Sequence, residues 1–268
     1  MSALTLILLL GFGVGIILAL TGAGGGILAV PALVFGTHAS VAEAGPVGLL
    51  AVALAAALGA ILGLKAGTVR YRAASLIAGV GVLCSPVGLW LAQRTPNRPL
   101  AIVFACVLLL VAYRVWQRAC APAARAAAAD RPPPPCRLSS KGKLIWTAPC
   151  ARALALSGVV AGGLSGLLGV GGGFVMIPAL QRYTDLSMQS VVATSLAVIA
   201  LVSTASVAVS AAAGHLPWTV ALPFSAGALA GMLGGRMVAA RLAGPRLQQG
   251  FALLSAGVAA AMLVKAAL

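Results

Sequence analysis

The sequence predicts an all-α polytopic membrane protein, made of two repeats of about four transmembrane segments each. Seven to eight spans or hairpins are expected in all, with glycine-broken helices near the midplane. Three observations predict it. Of 268 residues, 61% are hydrophobic and only 8% are charged, with a mean hydropathy of +1.08. A soluble domain carries about 25% charged residues, so this chain has too few polar groups to cover a folded surface in water. Apolar stretches near the length that crosses a bilayer, about 20 residues for a hydrocarbon core of roughly 30 Å, recur along the whole chain. Finally, a shift of 147 positions lays one half of the sequence on the other.

In chain order, the apolar stretches are 3–20, 24–36, 42–64, 73–93 and 99–117, then 153–168, 171–182, 188–213, 217–240 and 246–267. As one helix, residues 3–36 would measure about 50 Å at ~1.5 Å per residue, too long for an upright span. Gly22, Gly24, Gly25 and Gly26 sit in its middle. Glycine is costly in a helix interior, so the chain is expected to break there and restart as a short helix at Ile27. The next three stretches are long enough to span. Residues 118–149 carry Arg118, Arg125, Arg131, Arg137, Lys141 and Lys143 with prolines at 132–135. Those prolines cannot continue a helix, so a basic, extended linker separates a first membrane repeat, 1–117, from a second, 150–268. The second half opens as the first does: Gly169, Gly171, Gly172 and Gly173 interrupt 153–182, and a short helix restarts at Phe174.

The shift of 147 matches Gly11 with Gly158, Gly15 with Gly162, Gly22 with Gly169, and Gly24–Gly26 with Gly171–Gly173. It also matches Pro31-Ala32-Leu33 with Pro178-Ala179-Leu180, Gly67 with Gly214, Gly88 with Gly235, Arg94 with Arg241, and Phe104 with Phe251. Repeats of this kind are the signature of many secondary transporters. The linker holds the densest positive charge and is expected in the cytoplasm. If 153–182 enters and returns as a hairpin, Arg236, Arg241 and Arg246 fall on the same side, which obeys the positive-inside rule and makes the two repeats inverted. If that segment spans once, they fall outside. The inverted arrangement is the expected one.

The glycine clusters are the candidate site. The first N–H groups of a restarted helix have no partner in their own helix and carry the positive end of its dipole, which suits an anion. The site expected on this ground comprises Gly24, Gly25, Gly26 and Ile27 from one repeat and Gly171, Gly172, Gly173 and Phe174 from the other. The plainer account of such glycines is close helix packing. Thr194 and Ser195 add hydroxyl donors, followed by Ser203, Thr204, Ser206 and Ser210, although hydroxyls also bond their own helix. At the 147-residue offset Val47 and Gly48 replace Thr194 and Ser195, so the site is expected to be asymmetric. Glu43 and Arg182 are candidates for coupling or gating: Glu43 for a proton, with a solvated helix-start carboxylate as the alternative, and Arg182 for drawing an anion to the mouth, with a positive-inside anchor as the alternative.

Composition also excludes. Lys and Arg total 18 against three acids, Glu43, Asp130 and Asp185, a net charge of +15. The basic residues fall between apolar runs and not beside aromatic ones, so nucleic acid is not an expected partner. With three acids, no paired carboxylates and no Cys/His ligand spacing, neither enzymatic chemistry nor a bound metal or cofactor is expected. The five cysteines, Cys84, Cys106, Cys120, Cys136 and Cys150, read as small buried residues or free thiols and not as disulfides. His38 sits beside Glu43, and His215 precedes an interfacial Leu216-Pro217-Trp218. No signal peptide is expected, since the apolar run begins without a basic lead. Nothing in the pattern specifies an oligomeric state.

The pattern Gly-x-Gly-Gly-Gly, then an apolar stretch and Pro, at Gly22–Pro31 and again at Gly169–Pro178, resembles the sulfite exporter TauE/SafE family of membrane anion permeases. Ala193-Thr194-Ser195, the Gly214 to Trp218 turn and the small-residue span ending near Gly235 share the resemblance, which covers the chain apart from the linker. It implies a multi-pass protein of the bacterial inner membrane. The implied activity is secondary transport, in the sense of export, of sulfur-containing anions such as sulfite, thiosulfate or organosulfonates. Gly45-Pro46-Val47-Gly48 departs from the family's pattern in the first repeat. Alternatives are an anion channel with the same site, or a membrane enzyme or assembly factor, against which the missing catalytic groups stand.

Overall fold

The computed structural model of the protein describes residues 3–21, 25–37, 39–120, 135–136, 147–214, 216–242 and 245–267. Ten helices occur among them: α1 Ala3–Thr21, α2 Gly25–Thr37, α3 Val41–Lys65, α4 Tyr71–Arg94, α5 Asn97–Cys120, α6 Ala148–Leu168, α7 Gly173–Tyr183, α8 Met188–Ala212, α9 Trp218–Leu242 and α10 Pro245–Ala267. Seven are long and apolar enough to cross a membrane, and α2 is short. Outward faces carry Leu83, Val87, Leu110 and Met237, each more than half exposed, which suits acyl chains and not water.

The helices pair across the two halves of the chain. α1 lies on α9 and α4 on α6, while α3 packs against α8 and α5 against α10. α2 rests on α1 and α3, and α7 on α6 and α8. Exchanging the halves turns α1–α9 into α4–α6 and the contacts of α2 into those of α7, and leaves α3–α8 and α5–α10 as they are.

Glycines set the closest seams. A Cβ on Gly11, Gly15, Gly227 or Gly231 would overlap the carbonyl oxygen of Phe224, Ala228, Leu8 or Phe12, respectively. These contacts advance together along both helices, so α1 and α9 run parallel. Between α4 and α6, Gly162 meets Gly81, Gly166 meets Ser85, and Gly88 meets Gly163, again in parallel. Removing side chains lets backbones approach this closely without a hydrophobic drive between helices. By contrast, Gly59 meets Leu196 and Gly63 meets Ala193, so α3 and α8 run antiparallel.

Two cysteines expected to be free are joined instead: Cys136 and Cys150 form a disulfide. The partners lie 14 residues apart with no recognisable motif, and the backbone brings them together. Cys136 donates its N–H to the Tyr183 carbonyl at 3.1 Å, which lays residues 135–136 across the end of α7. Thr147 caps α6 and donates its hydroxyl to the Pro135 carbonyl at 3.1 Å, which places Cys150 in α6's first turn beneath Cys136. Cys84 and Cys106 are free. The remaining linker residues, with Cys120's side chain, Asp130, His38 and His215, lie outside what is described.

Candidate functional site

α6 stops at Leu168 because the next residues leave helical space. Gly169 caps it at φ 70°, Gly171 lies at φ 77°, and Gly172 precedes α7 at φ 65°. This left-handed region costs any L-residue with a Cβ roughly 1–2 kcal/mol, so only glycine turns the chain here cheaply. In the first half, α1 ends at Thr21, whose hydroxyl donates to the Ile17 carbonyl at 2.7 Å, and α2 starts at Gly25. A Cβ on Gly25 would overlap Leu18, so α2 folds back on α1 as a tight hairpin.

The two breaks meet. A Cβ on Gly26 would lie 2.7 Å from the Val170 carbonyl oxygen, and Gly169 presses on Gly45. Gly171 faces Ser203 Oγ, Ile199 and Val52, at 2.7, 3.1 and 3.2 Å from its would-be Cβ. Val52 and Ile199 are 147 residues apart, the same interval that relates the glycine clusters. α2 and α7 therefore begin beside one another, each with first-turn N–H groups that its own helix leaves without a partner. Gly25, Gly26, Gly171, Gly172 and Gly173 belong to this junction. Ile27, expected to start the short helix, is the third residue of α2 and a fully buried core residue. Gly24 and the Phe174 side chain lie outside the described residues. Gly45 and Gly48, which break the expected pattern, abut Gly169, and a Cβ on either would stand in ordinary van der Waals contact there.

The hydroxyls lie along α8. Thr194 and Ser195 are fully buried. Thr194 Oγ1 accepts the backbone N–H of Arg70 at 3.1 Å, and Ser195 Oγ has no partner. Neither sits at the junction: Thr194 precedes Ser203 by nine residues, about 13 Å of helix. Ser203 is the junction's hydroxyl, fully buried with Oγ unpartnered. Ser195, Ser203, Ser206 and Ser210 fall within an arc of about 80° on α8. Ser206 bonds the Val202 carbonyl and Ser85, while Ser210 is unpartnered. Ser203 ranked behind Thr194 and Ser195 in sequence terms. The signal that finds it is the serine spacing on one face, once Gly171 is placed against it.

Glu43 and Arg182 lie away from the junction. Glu43 is exposed and closes a capping box: its carboxylate accepts the Ser40 N–H and hydroxyl, both at 2.9 Å, and its N–H donates to Ser40 Oγ. Arg182 is exposed in the last turn of α7, its guanidinium 6.0 Å from the Tyr183 ring centre. No group of three or more potential metal ligands occurs among the described residues.

A protein-family profile described as "Sulfite exporter TauE/SafE" matches residues 7–262. Two relatives, both titled "Probable membrane transporter protein", come from Xylella fastidiosa. The one from strain 9a5c is 28% identical over 97% of this chain and 95% of its own length, and the one from strain Temecula1 is 26% identical over the same shares. No solved structure matches significantly. The family and these relatives point to a multi-pass membrane transporter and not an enzyme.

Proposed function

Since the chain belongs to the sulfite exporter TauE/SafE family, we propose that it carries a small sulfur-containing anion, such as sulfite, thiosulfate or an organosulfonate, outward across the inner membrane by alternating access. The meeting of the two glycine breaks carries this reading. It gathers two helix N-termini and the unpartnered Ser203 hydroxyl at one buried place. Oriented N–H dipoles and a hydroxyl replace an anion's hydration without needing a counter-charge.

The repeats are inverted on this reading, in line with antiparallel α3 and α8, which occupy the same place in each half. α1 with α9, and α4 with α6, make tight pairs drawn from both halves. The moving bodies are then these mixed pairs against the α3–α8 centre, not one half against the other. Lys65, Arg70, Arg72, Arg114, Arg152, Arg182 and Arg236 share the linker's side, whereas Arg94, Arg98 and Lys265 lie at the opposite helix ends. The linker then faces the cytoplasm.

Flux into proteoliposomes tests the proposal, with sulfite, thiosulfate, sulfate, sulfoacetate and chloride offered with and without a pH gradient. Saturable flux of a sulfur anion is expected in the wild type. Gly172→Val, whose side chain would overlap the Ala161 carbonyl in a left-handed conformation, should fold in lower yield, and its folded, inserted fraction should carry none. Unsaturable flux would indicate a channel. Unchanged flux in the variant would sink the junction as the site.

A further inference from the structure

We propose that Arg70, Thr194 and Ser195 form a second oxyanion site, a vestibule on the linker side of the membrane. It receives the anion before the glycine junction does. The inference rests on the transporter reading above and adds to it a loading site and an asymmetry between the two faces.

Arg70 ends the short turn between α3 and α4. That turn is fixed by Gly67 at φ 67° and by the Thr68 hydroxyl on the Gly63 carbonyl at 3.0 Å. It is also held to α8, because the Arg70 N–H donates to Thr194 Oγ1. The side chain is partly buried beside this corner: Arg70 Nε is shielded from solvent and has no hydrogen-bond partner. A guanidinium is permanently charged, and one of its donors held away from water with nothing to bond is expensive. A carboxylate would be the ordinary remedy, but the chain has three. Glu43 is spent on Ser40 at the far end of α3, Asp185 is exposed beyond α7, and Asp130 lies outside the described residues.

Of two sequence-adjacent hydroxyls on α8, Thr194 Oγ1 touches this turn directly. Thr194 Oγ1 accepts from Arg70, which leaves its own proton to give, and Ser195 next to it is fully buried with Oγ unpartnered. α4 starts at Tyr71 with no side-chain cap on its first turn, so its dipole adds positive potential. A guanidinium edge with neighbouring hydroxyls matches the spread oxygens of a sulfur or phosphorus oxyanion.

The other face has no equivalent. At the 147-residue offset Pro217, Val47 and Gly48 stand where Arg70, Thr194 and Ser195 do. Proline supplies neither a charge nor an N–H. An anion should therefore load from the linker side at lower concentration than from the opposite side.

The test compares wild type with Arg70→Gln, Arg70→Lys, Thr194→Val and, as control, the exposed neighbour Arg72→Gln. Two quantities are measured: sulfite binding to purified protein, and flux in oriented proteoliposomes with sulfite offered on either face. Arg70→Gln should weaken binding and raise the linker-side KM about tenfold or more, as expected for losing a charged hydrogen bond. Its kcat and opposite-side KM should stay within about twofold, and Arg70→Lys should recover part of the loss. Equal changes on both faces, or an equal effect of Arg72→Gln, would reduce Arg70 to surface charge and overturn the vestibule. So would wild-type binding indifferent to Arg70. Arg70-dependent binding in a wild type that carries no flux would leave the vestibule standing while the transporter reading fell.

Discussion

Ser203 and Gly171 are matched by elimination: a side chain at 171 would occupy the space beside the hydroxyl. An unpartnered buried hydroxyl costs about 1–3 kcal/mol, so removing it should not harm the empty protein. Ser203→Ala is expected to keep or raise the melting temperature while raising KM for the anion about fivefold, the worth of one ordinary hydrogen bond. Ser206→Ala would break a bonded pair with Ser85 and should lower the melting temperature instead. A Ser203→Ala protein with unchanged KM would remove that hydroxyl from the site. The glycine clusters were legible in the sequence because three glycines in a row have few uses inside an apolar segment. Ser203 was not, since a serine in an apolar helix has the same one-dimensional appearance whether it bonds its own helix, as Ser157 bonds the Ala153 carbonyl at 2.8 Å, or nothing.

The spans were legible at the scale of elements, their ends agreeing with the helices to within a few residues, because apolar length is a strong signal. The separation of α1, ending at Thr21, from α2, starting at Gly25, and the break at 169–172 were legible for the same reason as the clusters. The disulfide was not: it depends on an extended linker segment crossing the end of α7, and no local pattern encodes that crossing. It ties three elements together, since Cys150 belongs to α6, Cys136 bonds α7, and both anchor the linker. Disulfides are rare in the cytoplasm. With the linker facing that compartment, the two sulfurs should be thiols in growing cells and join after oxidative challenge. Alkylation of denatured samples checks this. A pair found oxidised throughout growth would place the linker on the opposite face and reverse the assigned orientation. In purified protein, reduction should speed amide exchange at the end of α7, where Cys136 otherwise holds the Tyr183 carbonyl.

Across the whole molecule, the 147-residue repeat led to the expectation of two similar halves and said nothing of how the two halves pack on one another. The repeated glycines Gly11 and Gly158, Gly15 and Gly162, and Gly88 and Gly235 form the seams between α1 and α9 and between α4 and α6. For these residues the plainer account, close packing, is the right one. Gly15→Leu or Gly162→Leu should lower the yield of folded protein sharply, because overpacking strikes backbone that cannot move aside. Near-normal yield would mean that these seams open readily.

The parallel pairing of α1 with α9 also bears on how the protein is made. The ribosome delivers α1 first and α9 almost last, at about 5–20 residues per second. During that interval the glycine face of α1 has no partner from its own half. Residues 1–134 produced alone should therefore insert but be degraded, and so should 135–268. Produced together as separate chains, they should find each other and resist proteolysis, because each holds the missing seam of the other. The unit of biogenesis is then the complete pair of halves, and quality control in the membrane acts on an intermediate that must survive until its ninth helix arrives.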